Sequence, residues 1–140
     1  MFRIFHKIKI LKAAIVSENT FRNEQTDPSV QSSFKCCHCS KYNKINIVPY
    51  QTGFPFSEIY KNEKVLTAHE ILDNGLATKT SDWAVYMGDF TIDNLPTLYF
   101  GVDCNFCNAK HIVVFSFGEK QPGLEICEIS GVWEFGSAHS

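Results

Sequence analysis

Two short cysteine pairs carry the most specific chemistry in this sequence. One pair is Cys36 and Cys39, the other is Cys104 and Cys107, and two residues separate the thiols in each pair. On a tight turn this spacing lets both sulfurs point at one centre, so two such turns supply the four thiolates of a tetrahedral zinc site. Four cysteine ligands leave no coordination position for a substrate. We therefore predict a structural Zn²⁺ site formed by Cys36, Cys39, Cys104 and Cys107.

Each pair lies between two segments with the apolar pattern of β-strands. Residues 34–35 and 45–48 flank the first pair, and residues 97–102 and 111–117 flank the second. Both pairs are therefore predicted at hairpin tips, which is the context of a cysteine knuckle in a zinc ribbon. The 64 residues between the two pairs exceed the roughly 15–20 of a compact ribbon. The chain thus resembles a split zinc ribbon that carries a long insertion.

Three other interpretations of the cysteine pairs remain open. An iron site with four cysteines uses the same spacing as a zinc site. Two disulfides would fit an exported chain. A thiol redox enzyme could use one Cys-x-x-Cys pair, although a thioredoxin-like motif belongs at a strand-to-helix junction. We favour the structural zinc site because both pairs lie in hairpin contexts.

The remaining cysteines and two neighbouring histidines are predicted to have no metal role. Cys37 pairs poorly with Cys39, because a single residue separates them, and is predicted to be a spare or small buried thiol. Cys127 lies in a strand-like apolar run and is predicted to be a core residue. His38 and His111 flank the cysteine pairs and could each replace a ligand, but polar structural roles are favoured.

The chain as a whole predicts an α+β fold, mainly antiparallel β-sheet with the zinc-ribbon-like pair of knuckles and one or two short helices. Residues 1–33 are predicted to form an N-terminal amphipathic segment followed by a polar linker. A basic helix is predicted within residues 2–16, because the apolar residues Ile4, Ile8, Leu11 and Ile15 follow helical spacing. Residues 34–136 are predicted to form one zinc-stapled domain. Further strands are predicted over residues 83–86 and 124–135, with a frayed tail over residues 136–140.

A second helix is predicted from its own start and stop signals. Thr67 and Glu70 have the spacing of a capping box, and Gly75 stands where a left-handed residue ends a helix. The residues expected to contact the core are Leu66, Ile71 and Leu72, with His69 at the core edge.

The formal net charge of -2 hides an uneven distribution. Residues 1–81 contain eleven Lys and Arg against seven Asp and Glu, whereas residues 82–140 contain two against eight. This asymmetry favours a surface suited to a basic partner. No stretch approaches the roughly 20 apolar residues of a transmembrane helix, and Lys9 and Lys12 interrupt the N-terminal apolar run that a signal peptide would need. We predict a cytoplasmic protein, in which six cysteines indicate metal binding over disulfides.

The sequence contains no motif of a serine hydrolase, a phosphate-binding loop or a zinc protease, so we predict a binding protein and not an enzyme. Residues 95–104, 117–123 and 131–134 together resemble the small immunity proteins of bacterial toxin systems. The resemblance implies a non-catalytic inhibitor that binds a toxin by protein-protein contact, and a basic toxin would suit the acidic half. The alternative is a nucleic-acid-binding or regulatory zinc ribbon, which the acidic half disfavours. Its basic and aromatic patch would be Lys35, Lys41, Tyr42 and Lys44.

Overall fold

A computed structural model describes residues 1–138 and is built mainly from antiparallel β-sheet. The strands are β1 (Ile8–Ala13), β2 (Ile15–Val16), β3 (Thr20–Arg22), β4 (Val30–Lys35), β5 (Tyr42–Ile47), β6 (Phe54–Pro55), β7 (Thr78–Lys79), β8 (Phe90–Thr91), β9 (Thr97–Asp103), β10 (Lys110–Gln121) and β11 (Leu124–Ser137). The helices are α1 (Ser57–Tyr60), α2 (Ala68–Asn74) and three short 3-10 helices (Asn23–Thr26, Lys61–Glu63 and Asp82–Met87). The predicted α+β class is therefore confirmed.

The strands form one large sheet, one small sheet and a two-stranded ribbon. The large sheet has the order β1-β11-β10-β9-β6, and β3 also pairs with β11. The small sheet has the order β2-β4-β5, and β7 pairs with β8 in the ribbon. A single residue, Ala14, separates β1 from β2, and its N–H donates to the carbonyl oxygen of Val132 at 2.8 Å. The chain therefore passes directly from the large sheet to the small one at Ala14.

The central strand β10 is buried on both faces, because successive side chains of a strand point in opposite directions. Ile112 and Val114 pack into one core cluster with apolar residues of both α-helices. Val113 and Phe115 pack into a second cluster with apolar residues of β4 and β5. The large sheet thus has helices on one face and the small sheet on the other, which places the β4–β5 hairpin beside the β9–β10 hairpin.

The prediction of an amphipathic helix within residues 2–16 is wrong, because this segment contains the strands β1 and β2. β1 pairs with β11 and buries Ile8, whereas Leu11 and Ile15, which completed the helical spacing, are exposed. Residues 17–33, predicted to be a linker, contain β3 and the start of β4. The backbone groups of both segments pair with other strands. These pairings, and not the local sequence pattern, determine the secondary structure of residues 1–33.

The helix predicted from its capping box is confirmed as α2. The Thr67 hydroxyl accepts from the Glu70 N–H at 3.2 Å, and the Glu70 carboxylate accepts from the Thr67 N–H at 2.9 Å. Gly75 ends the helix with φ of 74°. Ile71 is buried as predicted, whereas Leu72 is exposed, so its predicted core contact is wrong.

Two predictions in the C-terminal half also differ from the structure. Residues 83–86 were expected to form a strand, but they lie in the 3-10 helix Asp82–Met87, and no strand of residues 1–138 pairs with them. Gly136 and Ser137 do not fray but extend β11, where they pair with β1. The last two residues of the predicted tail, 139 and 140, lie outside the described residues.

Within residues 1–138, no helix has the length and the apolar character needed to cross a membrane.

Candidate metal centre

The two cysteine pairs lie in the turns of two antiparallel hairpins, as the flanking sequences predict. The first pair follows β4 and precedes β5, and these strands pair from Val30 opposite Ile47 to Lys35 opposite Tyr42. The second pair follows β9 and precedes β10, which pair in the same antiparallel manner. Each turn therefore extends from a rigid ladder of backbone hydrogen bonds.

The first turn is closed by hydrogen bonds around Cys36. The Cys36 N–H donates to the Lys41 carbonyl oxygen at 2.9 Å, and the Ser40 N–H donates to the Cys36 carbonyl oxygen at 3.0 Å. The His38 N–H points at the Cys36 Sγ from 3.4 Å. This last contact stabilises negative charge on the sulfur, because a backbone N–H is a fixed donor.

The second turn repeats this arrangement around Cys104. The Cys104 N–H donates to the Ala109 carbonyl oxygen at 2.8 Å, and the Asn108 N–H donates to the Cys104 carbonyl oxygen at 2.9 Å. The Phe106 N–H lies 3.5 Å from the Cys104 Sγ. The two turns thus share one backbone design although their intervening residues differ.

Both turns place a residue other than glycine in the left-handed region, Ser40 with φ of 66° and Asn108 with φ of 64°. Asparagine tolerates this conformation better than serine does. We expect Ser40→Gly to raise the free energy of unfolding by about 0.5–1 kcal/mol, after the entropy that glycine adds to the unfolded chain is subtracted. Denaturant unfolding of the metal-loaded protein measures this, with Asn108→Gly as the matched variant of smaller gain. A loss of stability in Ser40→Gly would contradict the prediction.

The four cysteine sulfurs lie close enough to share one metal ion. The Sγ atoms of Cys36 and Cys107 are 3.5 Å apart, and those of Cys39 and Cys104 are 3.6 Å apart. All four sulfurs lie within 4.8 Å of one another. Zn–S bonds of about 2.3 Å in a tetrahedron put the sulfurs about 3.8 Å apart, whereas a disulfide needs about 2.05 Å. The spacing fits four thiolates around a metal, and both short contacts join one hairpin to the other.

The proton affinities of these thiols differ because of their surroundings. Burial raises the pKa of the Cys104 thiol, but hydrogen bonds from the Phe106 N–H and the Asn43 amide outweigh burial and lower that pKa to about 6. The Ala109 N–H lowers the pKa of the Cys107 thiol, but burial and the neighbouring sulfurs raise it to about 12. The Cys104 thiolate therefore forms readily and opposes ionisation of the Cys39 and Cys107 thiols. A divalent cation at the centre removes this opposition, because it stabilises all four negative sulfurs.

Asn43 is a buried residue of the centre that was not predicted from the sequence. Its side chain, 3% exposed, donates from Nδ2 to the Cys104 Sγ at 3.3 Å and accepts at Oδ1 from the Asn105 N–H at 2.8 Å. Asn43 belongs to the first hairpin and both partners belong to the second. A signal was present, because Asn43 alternates with Ile45 and Ile47 on the inward face of β5. A polar residue at such a position needs a specific partner.

The two other cysteines lie outside the cluster of four sulfurs. The Cys37 Sγ is not among the four clustered sulfurs and lies 3.7 Å from the Lys12 carbonyl oxygen. Burial, together with the nearby Glu134 carboxylate, raises the pKa of the Cys37 thiol. Cys127 is fully buried in the second core cluster, as predicted, and burial raises the pKa of its thiol to about 12. Neither thiol is placed to bind the same metal.

The histidines near the centre are not part of it either. His38 is exposed, and among the histidines of residues 1–138 the only contact to a ligand sulfur is that of its backbone N–H within the first turn. His111 is fully buried, its Nδ1 lies 3.0 Å from the Ala109 carbonyl oxygen, and burial lowers the pKa of the imidazole. His69 lies on the exposed face of α2, 2.8 Å from the Asp73 carboxylate, and not at the predicted core edge.

Comparison with protein-family models, with curated proteins and with solved structures gave no significant match. The fold and the site define this protein as an α+β protein of mainly antiparallel sheet, with a candidate metal centre of four cysteines between two hairpins.

Proposed function

We propose that this protein is a non-catalytic binding protein in which a structural Zn²⁺ joins two hairpins. One observation carries the proposal: Cys36, Cys39, Cys104 and Cys107 come from two separate hairpins, and their sulfurs lie within 4.8 Å of one another. Zinc suits this ligand set because thiolates are its preferred structural ligands and it brings no redox chemistry. Four protein ligands also leave no open position for catalysis by the metal.

The partner proposed for this scaffold is a basic protein, of which a bacterial toxin neutralised by an immunity protein is the specific case. The support is the charge of residues 82–140, which carry eight acidic and two basic residues. Both basic residues form ion pairs within this half, Lys110 with Asp103 at 3.1 Å and Lys120 with Asp93 at 2.6 Å. The remaining carboxylates leave this half acidic, which favours association with a cationic surface.

A nucleic-acid-binding role is the second candidate, and one feature of the metal centre favours it. Tyr42 and Phe106 are exposed at the hairpin tips, and the Lys41 ammonium lies 5.2 Å from the centre of the Phe106 ring. Exposed rings beside a cation can stack on unpaired bases. The patch is small, so we expect a shift in mobility with single-stranded RNA only at low salt.

Metal and thiol content test the structural part of the proposal. The protein is purified under reducing conditions, its metal is measured by elemental analysis, and its reactive thiols are counted before and after chelation. We expect one zinc per chain, and we expect four thiols to become reactive only after chelation. If one iron per chain is found instead, the structural metal is iron and not zinc. If the protein contains no metal and fewer than six of its cysteines are free thiols before reduction, the proposal is overturned. The cysteines would then form disulfides or carry out redox chemistry.

Recovery of partners at two salt concentrations tests the binding part. The tagged protein is recovered from the cells that produce it, at about 50 mM and at about 500 mM salt, and bound proteins are identified. We expect a basic protein that is retained at low salt and lost at high salt, because screening shortens the reach of charge attraction. Retention of nucleic acid alone, removed by nuclease, would favour the second candidate instead.

A further inference from the structure

Residues 80–89 form a closed loop, here called the aromatic loop, that presents large apolar side chains to solvent. The β7–β8 ribbon closes its base, with Thr78 opposite Thr91. Within its 3-10 helix, Trp83 is 73% exposed, Val85 58% and Tyr86 75%. Exposed rings this close together are uncommon on a surface without a binding role.

The backbone that carries these exposed rings is anchored to the rest of the fold. Ala84, between the exposed residues, is fully buried. The Ser81 N–H donates to the Asn94 side chain at 2.8 Å, and the Asp89 N–H donates to the Tyr60 hydroxyl at 3.0 Å. The loop is therefore ordered before any partner arrives, which reduces the entropy lost on binding.

A groove of about 310 Å³ runs beside the aromatic loop. Its walls include Tyr60, Tyr86 and Phe90, together with Pro55 and Pro96. The Tyr60 and Phe90 rings meet edge to face, with centroids 5.1 Å apart. Grooves lined by aromatic rings and prolines suit extended proline-containing segments, which lose little entropy on binding.

The charges around the aromatic loop indicate the sign of the occupant. Asp82 and Asp89 stand near its two ends, both exposed, and neither forms an ion pair within residues 1–138. Residues 80–109 contain no lysine or arginine, and of their four aspartates Asp93 and Asp103 pair with lysines from β10, which leaves Asp82 and Asp89. The nearest basic residue along the chain is Lys79. A cationic segment therefore complements this face.

We propose that the aromatic loop and its groove bind an extended segment of the partner protein that contains arginine and proline. The inference rests on the proposed function, since it names the surface by which a basic partner is held. Arginine guanidinium groups stack on Trp83 and Tyr86 and pair with Asp82 and Asp89, while prolines occupy the groove. The Cα atoms of Trp83 and Tyr86 are at most about 11 Å apart, so one short segment reaches both rings.

A labelled peptide tests this surface directly. The probe is a nine-residue fluorescein-labelled peptide of alternating arginine and proline, and its binding to the metal-loaded full chain is followed by fluorescence polarisation at about 50 mM salt. We expect Trp83→Ala and Tyr86→Ala each to weaken binding by about tenfold or more. Asp82→Asn combined with Asp89→Asn should weaken binding and flatten its salt dependence. The matched control is Leu11→Ala, which removes an exposed apolar side chain from β1 at the opposite edge of the large sheet from β6 and should leave binding unchanged. Tyr42→Ala reports whether the peptide binds at the metal centre instead.

The outcomes separate failure of this inference from failure of the proposed function. Equal binding by wild type, Trp83→Ala and Tyr86→Ala, with a loss in Tyr42→Ala, would place the basic partner at the metal centre and overturn the inference alone. Absence of peptide binding by wild type would also overturn it, and the proposed function would fail with it only if the salt experiment retained no basic protein. Equal affinity for a peptide of alternating glutamate and proline would overturn the charge complementarity on which the inference depends.

Discussion

Replacement of any one of Cys36, Cys39, Cys104 and Cys107 by serine is expected to lower the free energy of unfolding by at least about 4 kcal/mol. Metal binding is coupled to folding, because the unfolded chain does not hold four thiolates together. The serine hydroxyl stays protonated near neutral pH and is a poor zinc ligand. The sulfurs join the β4–β5 hairpin of the small sheet to the β9–β10 hairpin of the large one. Loss of the metal therefore releases a contact between sheets.

The size of this effect makes it easy to measure by thermal unfolding of the purified protein. For a domain of this length, a loss of about 4 kcal/mol corresponds to a midpoint lower by roughly 10–15 °C. Cys37→Ser is the matched control, since this thiol neighbours Cys36 but lies outside the cluster. Excess chelator should lower the midpoint of wild type and of the control, and should change the four variants little. Unchanged melting in all four variants would rule out a structural metal.

Asn43→Asp is expected to weaken zinc binding by about 10- to 100-fold, which corresponds to about 1.4–2.7 kcal/mol. The substitution keeps the shape of the side chain and the acceptor for the Asn105 N–H. It replaces the donor that faces the Cys104 Sγ at 3.3 Å with a negative oxygen. The carboxylate repels the thiolate that the amide stabilises, so the change falls on the metal site and spares the backbone contact.

Competition with a chromophoric chelator measures the zinc affinity of this variant. The matched control is Asn46→Asp, because Asn46 is exposed and lies on the opposite face of the same strand. It adds the same charge without facing a sulfur, and its zinc affinity should match that of wild type. Equal zinc affinity in Asn43→Asp and wild type would show that the amide does not support the metal site.

The sequence by itself determined the elements whose signals are local. The Cys-x-x-Cys spacing predicted the four cysteines that cluster, and the alternation of apolar residues beside each pair predicted both hairpins. The Thr67 and Glu70 capping box and Gly75 predicted the limits of α2. These signals work because turn geometry, strand alternation and helix capping depend on residues that are close along the chain.

Only the tertiary structure decided the features that depend on distant partners. Residues 8–13 form β1 because β11 offers them a pairing edge, against the helical spacing of their apolar side chains. Asn43 joins the metal centre because the second hairpin supplies its sulfur and backbone partners across more than 60 residues. The backbone of the aromatic loop is anchored near its two ends by Tyr60 and Asn94, which lie outside it. Backbone N–H and C=O groups and buried polar side chains form hydrogen bonds with whichever partners the fold brings near. Those partners lie far away along the chain, so the neighbouring sequence does not identify them.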